Sequence, residues 1–159
     1  MSNHSKERWM RQAIDLAIEN VRSGGGGPFG ALVVKEGVVI ATGVNTVVRA
    51  NDPTAHAEIS AIRAACRSLG SFQLIGCEIY TSCEPCPMCL GAIYWARVAS
   101  FYFSSTRSDA AGAGFDDSLI YEQLQFAPEY RSIPGLRLLP KDGLAAFQEW
   151  QQAPQRQAY

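Results

Sequence analysis

Three cysteines, Cys83, Cys86 and Cys89, stand three residues apart in the segment TSCEPCPMC, residues 81–89. The whole chain has five cysteines, and an odd number fits metal binding or catalysis better than a framework of disulfides. Pro87 follows Cys86 and suits the first turn of a helix, where its missing N–H costs nothing. Two thiolates with this spacing at a helix start can turn toward one ion, and the helix dipole favours their negative charge. The segment therefore predicts a metal site built on Cys86 and Cys89.

The third ligand of this metal is expected to be a histidine. The chain has two histidines, and His4 lies near the N-terminus, where helices fray, so His56 is the candidate. A catalytic zinc keeps three protein ligands and leaves its fourth position to water, which it makes acidic enough to ionise near neutral pH. Glu58, two residues after His56, is well placed to exchange a proton with that water. This combination predicts a hydrolase.

Three alternatives to a catalytic metal site stay open for the cysteines. A closed structural zinc site would take Cys83 as a fourth ligand, although a proline stands between the thiols of this segment. An iron–sulfur cluster would need a fourth thiolate from Cys66 or Cys77, whose neighbours are mostly apolar. The third alternative is that the cysteines are small buried apolar residues, and we favour it for Cys66 and Cys77.

The elements that must position these residues follow an α/β order. Apolar residues recur at three- and four-residue steps over 6–21, which predicts an amphipathic helix, and the loop SGGGGP follows it. Two Val/Ile-rich runs on either side of Glu36-Gly37 predict a β-hairpin. The next elements are a helix over 55–69 stopped by Gly70, a strand over 77–81, a helix after Pro85 and a strand over 98–103. Strands joined through helices favour parallel neighbours.

The segment beyond residue 106 predicts two further helices, within 108–124 and 138–152, flanking a weak strand at 136–139. The 159 residues suit a single domain, since four consecutive glycines are too few to form a linker between domains. A formal charge of −1 opposes binding to a nucleic acid backbone, which usually requires a basic surface. The chain shows no signal region and no apolar run that could cross a bilayer, so we expect a soluble, cytoplasmic protein.

The residues named above complete a known pattern. His-x-Glu followed by Pro-Cys-x-x-Cys is typical of zinc-dependent nucleobase deaminases, and it stands here at residues 56–58 and 85–89. The sequence resembles the cytidine deaminase superfamily over most of its length, through GPFGALVV, NDPTAHAE and SCEPCPMCLGAIYWAR. The resemblance implies one α/β deaminase domain over 1–159, a three-layer α/β/α sandwich with a central five-stranded mixed sheet.

The resemblance also implies a role for each residue of the motif. One Zn2+ per chain would be held by His56, Cys86 and Cys89, and Glu58 would be the proton shuttle. Cys83 matches no ligand position and would be a neighbour of the pocket. We interpret Glu84 as a solvated or capping carboxylate rather than a second base, because it adjoins a helix N-terminus.

Within the superfamily the sequence is similar above all to bacterial guanine deaminases, through TSCEPCPMC and DAAGAGFDDSLIY. This likeness implies hydrolysis of guanine to xanthine and ammonia in purine catabolism or salvage. The tRNA adenosine deaminases are similar across NDPTAHAE, but they typically carry leucine at the position of Cys83 and need a basic surface. The cytosine deaminases lack the aspartate-rich tail segment. Guanosine, cytosine, ammeline and tRNA adenosine stay open as alternative substrates.

The same likeness assigns residues to the substrate. Asp117 would be a second acid and base on the side of the exocyclic amine, with Asp116 as the less favoured neighbour. Without the likeness, both aspartates are explained as caps of a helix that begins near Ser118. The implied substrate-binding residues are Asn45, Phe29, Ala57, Trp95 and Tyr159.

Two further expectations concern the lid and the mouth of the pocket. Tyr159 would reach an active site as a lid, with segment 140–159 exchanged between the subunits of a homodimer. The loop SGGGGPFG is more glycine-rich than the family pattern, which would loosen the mouth of the pocket.

Overall fold

The computed structural model describes residues 3–158, which divide into two compact units, one ending at Asp117 and one beginning at Ser118. The elements of the first unit are α1 (Asn3–Arg22), β1 (Gly30–Lys35), β2 (Val38–Val44), α2 (Val47–Ala50), α3 (Ala57–Leu69), β3 (Cys77–Cys83), α4 (Pro87–Trp95), β4 (Ser100–Ser105) and α5 (Arg107–Gly112). Those of the second unit are α6 (Ser118–Gln123), a 3-10 turn (Pro128–Tyr130) and α7 (Gly143–Gln152).

The strands form one mixed sheet in the order β2-β1-β3-β4. β1 pairs with both β2 and β3 in antiparallel fashion, whereas β3 and β4 are parallel. Three strands therefore run in one direction and β1 runs against them. Helix α3 connects β2 to β3, and helix α4 connects β3 to β4. In both cases the two connected strands run in the same direction, as expected for strands joined through a helix. Only β3 and β4 are parallel neighbours, because β1 is inserted between β2 and β3.

The expectation of five strands is wrong for residues 3–158, since the sheet has four. The missing strand is the one predicted at 136–139, where the chain has no regular structure. Its side chains are exposed, with Leu136 at 75% and Leu138 at 83%, so no neighbouring strand covers them. Leu139 has a φ of 47°, which turns the backbone out of the extended conformation, and Pro140 removes the next donor.

The hairpin between β1 and β2 is confirmed and turns at the predicted dipeptide. Lys35 pairs with Val38, which leaves Glu36 and Gly37 as a two-residue loop. Both have positive φ, 50° and 80°, as a type I′ turn requires.

Helices cover both faces of the sheet. One face packs against α1 through a cluster of Trp9, Ala13, Leu32, Val34 and Tyr80. The other face packs against α3 and α4 through Ala31, Val33, Ile79, Ala57, Ala61, Ala65 and Ile93. Alternate residues of β1 thus point to opposite layers, as the pleat of a strand buried on both faces dictates.

Small residues bring α3 close to the sheet. A Cβ on Gly43 of β2 would lie 2.3 Å from the Ala57 carbonyl oxygen and 2.5 Å from the Ala61 nitrogen. Only glycine therefore allows the first turns of α3 to approach β2 at this distance. The helix ends at Gly70, as predicted, which adopts the left-handed conformation with a φ of 60°.

No helix among residues 3–158 combines the length and the apolar character that crossing a membrane requires.

Candidate functional site

The predicted site residues meet at one edge of the sheet because of strand direction. β2 and β3 run the same way, so the segments after Val44 and Cys83 leave from the same edge. β1 runs the other way and begins at that edge, which places Phe29 beside Asn45. The backbone N–H of Asn45 donates to the Phe29 carbonyl over 3.1 Å. Ligands of open α/β sheets bind at the carboxyl ends of strands, and this edge is of that kind.

Three side chains that can hold a metal ion converge there. His56 Nδ1 lies 3.6 Å from Cys86 Sγ and 3.5 Å from Cys89 Sγ. All three ligand atoms lie within 4.8 Å of one another, with Cys89 buried and the other two half-buried. The structure thus brings together residues that are 30 and 33 positions apart in the chain.

Helix starts position all three residues. His56 is the N-cap of α3 and Cys86 is the N-cap of α4, and neither side chain caps its own helix. Pro87 opens α4 as predicted, and Cys89 lies in its first turn. Because the positive ends of two helix dipoles meet here, the site favours thiolates and carboxylates.

Hydrogen bonding divides the two thiols into a strong and a weak acid. The hydrogen bond from Cys89 holds the pKa of Cys86 well below its usual range, to about 4, with a further contribution from the hydrogen bond of His56. The same hydrogen bond, together with burial, raises the pKa of Cys89. The hydrogen bond to Cys86 also raises the pKa of His56. Thiol and imidazole ligands give up their protons when they bind a metal ion, so metal binding at this cluster would release protons.

Glu58 is the acidic residue that faces this cluster. Its side chain is only 6% exposed, and its Oε2 accepts a hydrogen bond from Cys89 Sγ over 3.4 Å. Burial raises the pKa of Glu58, since the charged form loses its hydration.

Cys83 and Glu84, two further polar residues of the cysteine segment, have hydrogen-bond partners outside the cluster. The Cys83 thiol contacts the Thr106 carbonyl over 3.6 Å, and burial raises its pKa to about 11. Glu84 Oε2 accepts a hydrogen bond of 3.0 Å from the backbone N–H of Arg107, the first residue of α5. Glu84 therefore satisfies an N–H at the start of α5, whereas the sequence placed it at the start of α4.

The segment FDD, residues 115–117, lies at the same edge of the sheet. Asp117 is half-buried and Asp116 is exposed. Burial raises the pKa of Asp117, and the negative charge of Cys86 acts in the same direction. Phe115 packs edge-on against Phe29, with ring centroids 5.0 Å apart. α6 begins at Ser118, where the sequence predicted a helix start.

The residues predicted to bind substrate have different environments. Asn45 is 8% exposed, and its Oδ1 accepts a hydrogen bond of 3.3 Å from the backbone N–H of Val47. Ala57 is fully buried directly after His56. Trp95, the last residue of α4, is 65% exposed, so it belongs to no core within the described structure. Tyr159 lies outside the described residues.

A cavity of about 490 Å³ lies at this edge on the side of α1. Phe29, Cys83 and Phe115 line it together with apolar residues of α1, whereas His56, Glu58 and the two clustered thiols do not. We assign the chemistry to the cluster, because the cavity lining offers no metal-ligating group apart from Cys83 and Asp109.

Two residues of the site were not predicted from the sequence. Asn20 is buried at 5% exposure on α1 and reaches the loop of Asn45, and Phe115 contacts Phe29. The sequence does contain a sign that Asn20 is buried, because it follows Ala17 by three positions on the apolar stripe of the helix. A polar residue on such a stripe must find hydrogen-bond partners when it is buried.

Comparison with known proteins defines the class to which this site belongs. Residues 3–105 match the cytidine and deoxycytidylate deaminase zinc-binding region. The chain belongs to this deaminase family.

Particular members of the family resemble the whole chain. The guanine deaminase of Bacillus subtilis (strain 168) is 50% identical over 157 residues, which cover 99% of both chains. An X-ray structure of guanine deaminase from Bacillus subtilis matches with a TM-score of 0.95 and 49% identity, covering 100% of this chain and 99% of the other. The tRNA-specific adenosine deaminase of Agrobacterium fabrum is 43% identical over 95 residues, 58% of this chain and 62% of its own length.

Proposed function

We propose that this protein is a zinc-dependent guanine deaminase, which hydrolyses guanine to xanthine and ammonia. The assignment of guanine as the substrate rests on the extent of the similarity. The guanine deaminase matches 99% of the chain, including the FDD segment. The tRNA adenosine deaminase matches 58% of it. Because the metal cluster is common to the family, the region outside it must distinguish one base from another.

The donor set fits zinc. One imidazole and two thiolates form a tetrahedral zinc site with bonds of about 2.0–2.1 Å to nitrogen and 2.3 Å to sulfur, which separates nitrogen from sulfur by about 3.6 Å. The measured separations are 3.6 and 3.5 Å. His56, Cys86 and Cys89 would hold the ion as its three protein ligands, whereas the Cys83 thiol is directed to the Thr106 carbonyl. When bound, zinc lowers the pKa of a coordinated water to about 7 and so supplies hydroxide near neutral pH.

Glu58 is proposed to move the first of the two water protons. Its carboxylate lies at the cluster, with Oε2 3.4 Å from Cys89 Sγ, and it is shielded from bulk water. It takes one proton from the attacking water and delivers it to a ring nitrogen beside C2 of guanine. The second water proton leaves with the exocyclic amine as ammonia, while the oxygen stays on C2 of xanthine.

Asp117 is proposed to take up the second water proton and deliver it to the departing amine. Burial of this carboxyl group raises its pKa, and a carboxyl group with a raised pKa is a better proton donor near neutral pH.

We expect Asp117→Asn to lower kcat for guanine by about 10²- to 10³-fold, because an amide cannot deliver the proton. Asp116→Asn is the matched control, since its exposed carboxyl group has the same chemistry, and its kcat should stay within about threefold of the wild type. Steady-state assays of both variants decide the assignment. A large loss in Asp116→Asn alone would transfer the role to that residue.

The flat base is proposed to lie between the side chains of Phe29 and Asn45. The Oδ1 atom of Asn45 is occupied by the N–H of Val47. Its Nδ2 is therefore the group left to donate a hydrogen bond to an acceptor on the purine edge. Ala57, Trp95 and the lid residue Tyr159 complete the proposed contacts. The loop of Phe29 supplies an aromatic face for the ring.

The chain is proposed to be a single deaminase domain that works as a homodimer with segment 140–159 exchanged. Within the second unit, α7 exposes three large apolar side chains at steps of three residues, Leu144, Phe147 and Trp150. Such a stripe marks an interaction surface, and a second copy is the partner that the exchange supplies.

The full chain should therefore sediment with the mass of a dimer, and Phe147→Glu should shift it toward the monomer by placing a charge on the stripe. Glu149→Gln, an exposed change on the same helix, is the control. A wild-type chain that sediments as a monomer at micromolar concentration would contradict the exchange.

The cytoplasm is the proposed compartment, because none of the five cysteines within residues 3–158 forms a disulfide. The proposed partner is a small purine, with neither nucleic acid nor membrane involved.

Turnover of guanine tests the proposed function directly. Zinc-loaded protein is incubated with guanine, guanosine, cytosine, ammeline and a tRNA that carries the target adenosine, and ammonia release is measured for each. We expect guanine to give the highest kcat/KM. No ammonia from guanine while another substrate reacts would overturn the proposal, and strongly salt-dependent tRNA binding with deamination would favour the tRNA reaction.

A further inference from the structure

Asn20 joins two loops of the site through one carboxamide. Its Nδ2 donates to the Gly27 carbonyl over 2.9 Å and to the Asn45 carbonyl over 2.8 Å. Both N–H groups of the amide are thereby used. The side chain is only 5% exposed, so the two hydrogen bonds are shielded from water.

The two carbonyls belong to the segments that carry Phe29 and Asn45. Gly27 precedes Phe29 by two residues, and the backbone N–H of Phe29 donates to the Gly27 carbonyl over 2.8 Å. The N–H of Asn45 donates in turn to the Phe29 carbonyl. Val47 N–H then fixes the carboxamide of Asn45 over 3.3 Å. A continuous set of hydrogen bonds therefore runs from Asn20 to the two proposed base contacts.

The glycine run makes this contact possible. A Cβ on Gly25 would lie 2.3 Å from Asn20 Oδ1, and a Cβ on Gly26 would lie 2.2 Å from the Asn45 carbonyl oxygen. Gly26 also has a φ of 155°, which side chains rarely adopt. The loop is thus packed against Asn20 at both positions, whereas the sequence alone suggested a loosened pocket mouth.

We propose that Asn20 is a positioning residue that sets substrate affinity by holding Phe29 and Asn45 at their places in the pocket. It acts through the Gly27 and Asn45 carbonyls and is assigned no contact with the base or the metal. The inference rests on the proposed function for the identity of the ligand and for the base contacts of Phe29 and Asn45.

Asn20→Asp tests the inference with a side chain of the same size. An aspartate offers no N–H and places negative oxygens against two carbonyls, so the loops lose their anchor. We expect KM for guanine to rise about 10- to 100-fold. kcat should stay within about threefold and the zinc content at one ion per chain, since the cluster and Glu58 are untouched. The Kd of the product xanthine, measured by calorimetry, should rise by a similar factor.

A double-mutant cycle separates positioning from general stability. If Asn20 acts through Asn45, Asn20→Asp should raise KM far less in the Asn45→Ala background than in the wild type. Additive effects, or a variant with lowered Tm but KM within about twofold of the wild type, would overturn the inference. Glu19→Gln, an exposed change of charge on the same helix, is the control and should leave KM unchanged.

Gly25→Ala tests the same contact from the loop and replaces Asn20→Asp if that variant fails to fold. Its Cβ would displace the Asn20 carboxamide, so the same rise in KM and in xanthine Kd is expected. An unchanged KM in Gly25→Ala would contradict the inference. If the wild type deaminates a base other than guanine, the proposed function fails, and the Asn20 variants are then measured with that base and its product.

Discussion

Glu58→Gln is expected to give a folded, zinc-loaded protein whose kcat is about 10⁴-fold lower, the upper end of the range for a group that transfers protons. This factor corresponds to about 5.4 kcal/mol of transition-state stabilisation. Glutamine has the same shape but cannot accept the proton of the attacking water or return it. The effect is large because this buried carboxylate carries the proton from the attacking water to the ring nitrogen, with Cys89 Sγ 3.4 Å from its Oε2 and little bulk water to replace it.

Glu84→Gln is the matched control for this experiment, because Glu84 is the other glutamate next to the metal ligands. Glutamine keeps an oxygen that can accept from the N–H of Arg107 and loses only the negative charge at the start of α5, so stability should change by at most about 1 kcal/mol and kcat should stay nearly unchanged. Zinc content and the circular dichroism spectrum of both variants establish that the site is intact. Retention of activity in Glu58→Gln would remove Glu58 from the mechanism.

Local signals were sufficient for the elements that position the cluster. The Glu36-Gly37 turn, the stop at Gly70 and the proline at the start of α4 each depend on the backbone preferences of one or two residues. The ligand spacing at Cys86 and Cys89 depends on the geometry of a single helical turn. Such features survive in almost any tertiary context, so the sequence predicts them well.

Features that depend on distant partners were not predictable in the same way. The run at 136–139 has the apolar composition of a strand, but a strand needs a neighbour to pair with, and Leu136 and Leu138 have none to cover them. The short helix α2 between Asn45 and His56 ends at Asn51 in the left-handed conformation, and nothing in its apolar pattern indicates it. Glu84 shows the same limit, since the helix that it caps is set by the position of β4 and not by its own neighbours in sequence.

Strand direction explains why the site could be only partly predicted. The sequence identifies His56 and Cys86 by chemical type, but the sheet order decides that their segments leave from one edge and that Phe29 enters there. Because β1 lies between β2 and β3, the loops at this edge contact Asn20, a buried residue of α1, through the Gly27 and Asn45 carbonyls. A pattern of single residues contains no information about that juxtaposition.

Cys86→Ser is expected to weaken zinc binding by at least about 100-fold. Mutation of a group that only orients a metal ligand already lowers metal affinity about 10- to 100-fold, and Cys86 is itself a proposed ligand. Activity should fall to background at limiting zinc. Serine keeps the size of the side chain, but its hydroxyl is a far poorer zinc ligand than a thiolate. The thermal stability should no longer depend on zinc, whereas excess zinc should stabilise the wild type by about 2.7 kcal/mol at a free concentration of 100 times Kd.

Cys83→Ala distinguishes an open metal site from a closed one. Cys83 belongs to the same triplet but directs its thiol to the Thr106 carbonyl over 3.6 Å, and burial raises its pKa to about 11. A thiol that is directed to a backbone carbonyl outside the cluster is a poor zinc ligand, so this variant should retain one zinc per chain and most of its activity. Zinc is measured by elemental analysis after dialysis. Loss of zinc in Cys83→Ala as well as in Cys86→Ser would mean that Cys83 is a fourth ligand, and a site closed in this way leaves no position for the water that the deamination requires.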